Sequence, residues 1–289
     1  MSKKKQKQSQ VIEIPKPILY TAKFLQAISS SLTTKFAAKL FTTPIRHKLP
    51  KRELHMERES VQKSIMVPAI NKEVVVYEYG KSDTKVLLVH GWSGRGTQLY
   101  KIADKLLENG FMTISFDAPA HGKSSGNYTM MTEFIATAKY LQQHYGPFEF
   151  AIGHSLGGMT VLNSVKQFLE VKKIVIIGAG DIITDIIADF IQKLELSPKL
   201  IEKMKYFFLK KFGEDIDDYS GSVAALSVKI PALVIHDTED KEVPVSCAYN
   251  IRKNLEFGEI LVTNGLGHSR ILKDTFVVER IIEFLHKNN

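Results

Sequence analysis

From Ser64 onward the chain alternates short β-branched apolar runs with stretches whose apolar residues recur at the helical period. That texture predicts a mostly parallel sheet covered by helices. The runs predict eight strands in one sheet, at 64–67, 73–79, 86–90, 112–117, 148–153, 173–177, 232–236 and 259–263. The periodic stretches predict helices at 98–108, 131–144, 157–168, 245–255 and 274–286, with Thr129 and Thr132 as candidate caps of the second.

Two segments depart from this rhythm. Residues 181–228 carry two helical patterns where a simple crossover needs one: Ile183, Ile186, Ile187, Phe190, Ile191 and Leu194 form one stripe, and Ile201, Met204, Phe208 and Phe212 the other, after Ser197 and Pro198 at cap positions. Such an insertion at the carboxyl edge of a sheet is expected to act as a lid over a pocket. Near the start, Ile18, Ala22, Leu25, Ile28, Leu32, Phe36 and Leu40 recur close to the helical period until Pro44, predicting one long amphipathic helix or two short ones. The expected division is a basic extension over 1–60, a core of 61–180 with 229–289, and the helical lid between them.

Charge changes the picture only for the extension. Residues 1–60 hold ten Lys and three Arg against four Glu, a balance of +9, whereas the remainder of the +8 chain sums to −1. A neutral body does not provide a basic groove for nucleic acid. The cationic run Met1–Gln10 is expected to be disordered. The apolar stripe behind it either packs on the body or makes peripheral contact with a membrane surface. No apolar run approaches the ~20 residues of a membrane span, Lys23 and Lys35 interrupt the segment as a leader, and Cys247 is the single cysteine. A cytoplasmic protein without structural metal is expected.

The chemistry concentrates in four places. Gly153-His154-Ser155-Leu156-Gly157 lies between an apolar strand and a helix, where a serine on a sharp turn needs small residues two positions away on both sides. The helix that follows directs free amides at a developing oxyanion, with the amide of Leu156 as one donor. His90-Gly91-Trp92-Ser93-Gly94 follows another buried strand and offers the amide of Trp92 as a second donor. His268, in a glycine-rich loop after the last strand, is the candidate general base. Asp240 is the candidate acid that fixes its tautomer, which puts the three in the order Ser155, Asp240, His268. Asp181 is the reserve acid, Asp237 and Glu239 are read as solvated turn residues, and His154 as a packing residue.

These motifs resemble the α/β-hydrolase superfamily over residues 64–289. HGWSG resembles its oxyanion loop, FDAPAHGKS a turn in which Ala120 stands for the usual glycine, GHSLGG its nucleophile elbow, and HDTEDKEVP with GLGH its acid and base loops. Membership implies a serine hydrolase acting on a small-molecule carboxylic ester through an acyl-enzyme, with no cofactor or metal; the apolar lid favours a hydrophobic acyl group. Thioesterase, lysophospholipase, peptidase and carbon-carbon bond hydrolase remain alternatives, as does a non-catalytic ligand-binding module. Relatives with an aspartate nucleophile are set aside by Ser155. The run Gly178-Ala179-Gly180 resembles a dinucleotide fingerprint but has Ile183 in place of the third glycine.

Overall fold

The computed structural model describes residues 14–287; the expectation of disorder over Met1–Gln10 lies outside them. The eight strands are β1 (Val61–Val67), β2 (Lys72–Tyr79), β3 (Lys85–Val89), β4 (Met112–Asp117), β5 (Phe150–His154), β6 (Lys173–Ile177), β7 (Ala232–Asp237) and β8 (Gly258–Thr263). They form one sheet in the order β1-β2-β4-β3-β5-β6-β7-β8. The first two pairings, β1 with β2 and β2 with β4, are antiparallel, and every later one is parallel. This is the expected fold class. The first strand begins three residues earlier than its apolar run, because Val61–Ser64 lie on an outer strand whose side chains face solvent and carry no hydrophobic signature.

Among the described residues, twelve α-helices accompany the sheet: α1 (Lys16–Ile28), α2 (Ser30–Phe41), α3 (Leu54–Glu59), α4 (Tyr100–Glu108), α5 (Met131–Tyr145), α6 (Leu156–Gln167), α7 (Ile183–Lys193), α8 (Lys199–Phe212), α9 (Gly221–Ala225), α10 (Ser246–Asn254), α11 (Gly267–Arg270) and α12 (Thr275–His286). The central strands are buried on both faces, so they read as continuous apolar runs. Successive residues nonetheless serve different layers. In β6, Ile174 and Ile176 join the cluster that includes residues of α5, α6 and α9, while Val175 and Ile177 join that of α4 and α12. Full burial of each such side chain contributes about 1.5–3 kcal/mol. Asp274 caps α12 by accepting from the Val277 amide at 3.1 Å. Neither Thr129 nor Thr132 caps α5; Met130 occupies that position with extended backbone and no side-chain bond.

The two irregular segments meet each other. Ser29, extended at φ −157°, breaks the N-terminal stripe into α1 and α2, and its hydroxyl accepts from the Leu32 amide. Ala22, Ala37 and Ala38 form one buried cluster with Ile187, Ile191, Leu194, Leu200, Met204 and Phe208 of the 181–228 excursion. Small residues on one side and large ones on the other let the helices approach closely. Phe41 meets Phe190 edge-on at 5.3 Å, Gln26 Oε1 accepts from the Ser197 amide at 2.6 Å, and Lys23 pairs with Glu195. The chain then crosses to the sheet through Arg46, which donates to the carbonyls of Ala120 (3.0 Å), Ser124 (2.7 Å) and Gly126 (2.8 Å).

Candidate active site

Parallel strands end on one edge of a sheet, and the loops after β3, β5, β6 and β7 meet there. Ser155, directly after β5, has φ +55° and ψ −122°, a strained conformation for a residue with a side chain. Its amide donates to the Ile177 carbonyl at the end of β6. The glycines of the motif are steric necessities: a Cβ on Gly153 would lie 2.2 Å from the Gly157 carbonyl oxygen, and one on Gly157 2.2 Å from that of Val89. Gly91 is similarly constrained, since a Cβ there would meet Ser155 Cβ at 2.9 Å. The turn bearing Trp92 therefore lies against Ser155. Neither the Trp92 amide nor the Leu156 amide at the start of α6 donates to a protein group among the described residues.

His268 lies in α11, and its Nδ1 donates to Asp240 Oδ2 at 2.7 Å. The pair sits over Gly178, the residue after β6: a Cβ there would be 3.4 Å from His268 Nδ1 and 3.7 Å from Asp240 Oδ2. Asp240 is itself anchored, its Oδ1 accepting from the amides of Glu242 (2.8 Å) and Val243 (3.0 Å), with His236 Nε2 3.4 Å from its Oδ2. Burial opposes charge on this carboxyl, but the hydrogen bonds from His236, His268 and Val243 outweigh it and hold the group well below the ordinary carboxylate range. For His268 burial favours the neutral ring; the bond and charge of Asp240 and the charge of Glu242 prevail and raise its pKa.

Several supporting residues gave little sequence signal. His154, read as packing, is fully buried; its Nε2 donates to the His268 carbonyl at 3.0 Å, tying the end of β5 to α11. Desolvation keeps it neutral, well below the ordinary histidine range. Asp237 is not a solvated turn residue. It is buried and accepts from the amides of Gly267 (2.8 Å), Leu266 (3.0 Å) and Glu239 (2.9 Å) and from the Thr263 hydroxyl (2.7 Å), clamping the loop that carries His268. Asp181, the reserve acid, accepts instead from the Ser222 amide and from Asn250 Nδ2, joining the start of the excursion to α9 and α10. Glu242 lies with Oε2 3.7 Å from His268 Nε2, so the ring has a carboxylate on each side.

Across the sheet, His90 and His121 brace the loops after β3 and β4. His90 donates from Nδ1 to the Gly91 carbonyl and accepts the Ala118 amide at Nε2. His121 donates to the Pro119 carbonyl and accepts the Ser93 amide at 2.9 Å. Burial pushes them down to about 4 and about 3 respectively. Ala120 adopts φ +64°, the left-handed conformation that glycine takes without cost. Its amide bond to the Ser125 carbonyl and the Asp117 contacts with the amides of Gly96 and Lys123 hold the turn despite that.

A family model described as the alpha/beta hydrolase fold matches residues 84–208. Among solved structures the chain is similar to an esterase from Pyrococcus furiosus at 21% identity, covering 84% of this chain and 95% of that one with a TM-score of 0.62. An esterase from Exiguobacterium antarcticum is similar at 17% identity over 78% of this chain and 100% of that one, TM-score 0.60. A bromoperoxidase from Bacillus anthracis gives 16%, 78%, 100% and 0.61. Comparison with curated proteins finds no match.

Proposed function

This chain is an α/β-hydrolase-fold protein, and from that premise we propose that it is a serine hydrolase cleaving a carboxylic ester through an acyl-enzyme. The observation that carries the reading is the convergence on one sheet edge of Ser155 in its left-handed turn, Gly91 packed against it, and the Asp240–His268 pair over the next strand. The Ser155 hydroxyl adds to the ester carbonyl and passes its proton to His268 Nε2. The resulting oxyanion accepts from the amides of Trp92 and Leu156, each such donor contributing about 3–4 kcal/mol. As the tetrahedral species collapses, the alkoxide leaves with the proton from His268. Water, deprotonated by the same nitrogen, then releases the acid and restores Ser155. Asp240 holds the Nδ1 proton throughout, and residues 181–228 serve as the lid.

The acyl group proposed is hydrophobic, supported by Trp92 on the amide-bearing turn and by Ile186, which reaches Gly180 just beyond β6. Of the other large side chains of α7 and α8, Ile187, Ile191, Met204 and Phe208 are consumed by the cluster with α1 and α2, while Tyr206, Leu209 and Phe212 face solvent. Hydrolysis of p-nitrophenyl esters from acetyl to palmitoyl tests the reading. Ser155→Ala is expected to lower turnover about 10⁴-fold or more with an unchanged thermal melt. Equal turnover by wild type and variant would refute the assignment.

A further inference from the structure

Helix α1 is apolar on both sides. Its inner side, through Ile18 and Ala22, is consumed by the cluster with α7 and α8. Its outer side presents Tyr20, Phe24 and Ile28, at i, i+4 and i+8, and these remain 67%, 66% and 60% exposed. Leu32, at 49%, continues the apolar surface onto α2, where it shares the solvent face with Lys35 and Lys39. Large apolar side chains exposed together on one face mark a contact surface, and nothing among the described residues covers this one.

The charge around this face selects the cover. From Ile14 to Arg52 the sequence holds eight Lys and Arg and not one Asp or Glu, and the thirteen residues before it add Lys3, Lys4, Lys5 and Lys7 against Glu13 alone. A second copy docked through the same face would bring two such cationic segments together, which opposes association. An anionic bilayer satisfies both requirements: its headgroups attract the lysines, and its interfacial region accepts Tyr and Phe rings lying in the plane of the surface. We propose that the outer face of α1, continued by the start of α2, is a docking surface for anionic lipid. The proposal is independent of the catalytic reading and places α7 and α8 directly behind the docked helices.

The test is cosedimentation of the full chain with vesicles of equimolar phosphatidylglycerol and phosphatidylcholine, and with phosphatidylcholine alone. The wild type is expected to sediment with the anionic vesicles, less so as salt rises, and to remain in solution with the neutral ones. Phe24→Ser combined with Ile28→Ser is expected to lower the partition about tenfold or more, with circular dichroism and melting temperature unchanged. Lys35→Glu combined with Lys39→Glu provides a second route to the same loss through charge. The idea fails if the wild type ignores anionic vesicles, or if the serine pair binds them as well as the wild type. It also fails if sedimentation velocity shows a dimer that the serine pair dissociates, since the face would then join two copies.

Discussion

Ser155 is held in a conformation that disfavours any side chain, and its surroundings leave no room to relax. Gly157→Ala is therefore expected to destabilise the fold by several kcal/mol, on the order of the cost of an overpacked core, because the new methyl meets backbone oxygens rather than flexible side chains. A denaturant melt measures it. The spacing of GxSxG is legible in sequence because this steric demand falls on residues two apart. The burial of Asp237 is not, because its partners Leu266 and Gly267 lie some thirty positions away, in a loop whose path no local pattern reveals. Titration supplies a second prediction at this scale. The proposed base His268 works unprotonated and has its pKa raised by Asp240 and Glu242, so kcat/KM should fall on acidification with a midpoint above that of an ordinary histidine. Removing charge with Glu242→Gln should move that midpoint to lower pH; an unmoved acid limb would show that the 3.7 Å approach has no electrostatic effect. The carboxylate is 45% exposed and screened by water, so its shift should be smaller than that from Asp240→Asn. The latter should also cost about 10³–10⁴-fold in kcat, because the ring loses its fixed tautomer.

At the scale of elements, apolar patterning identified the eight strands and the long helices of the sheet domain, since strands buried on both faces read as continuous runs and helices as one-sided stripes; it missed the short α11, which places His268 on a helix rather than in the expected loop, because four residues carry no period. It also identified the stripes of α7 and α8. It did not reveal what those stripes face. A helical moment reports that a side must be covered, never by which partner, and the partner here lies some 150 residues earlier in the chain, in α1 and α2. Phe208 is the keystone of that contact, buried and adjacent to Phe41 and Phe212. Phe208→Ala should cost about 3–5 kcal/mol, read from a urea titration. Arg46 fastens the same N-terminal segment to the turn after β4 by three donated bonds. Its replacement by Ala should cost about 1–2 kcal/mol, less than three charged bonds would suggest because the side chain is exposed.

For the molecule as a whole, the basic extension is a structural part rather than an appendage: it covers the helical excursion on one side and presents an apolar face on the other. Charge counting located the extension's unusual composition, but only the three-dimensional pairing of its alanines with Ile187, Ile191 and Met204 assigns its inner face. Removing residues 1–45 should accordingly expose the stripes of α7 and α8, giving dye binding and self-association on a sizing column where the full chain runs cleanly. The placement of Trp92 has a consequence of another kind. It is the single tryptophan of the chain, about one third exposed, on the turn packed against Ser155 and edge-on to His121 at 5.4 Å. Because burial pushes the His121 pKa down to about 3, its ring introduces no protonation step into the indole emission near neutral pH. The protein thus contains a built-in fluorophore at its candidate catalytic edge, and a bound acyl mimic would register as a change in colour or intensity of that one lamp.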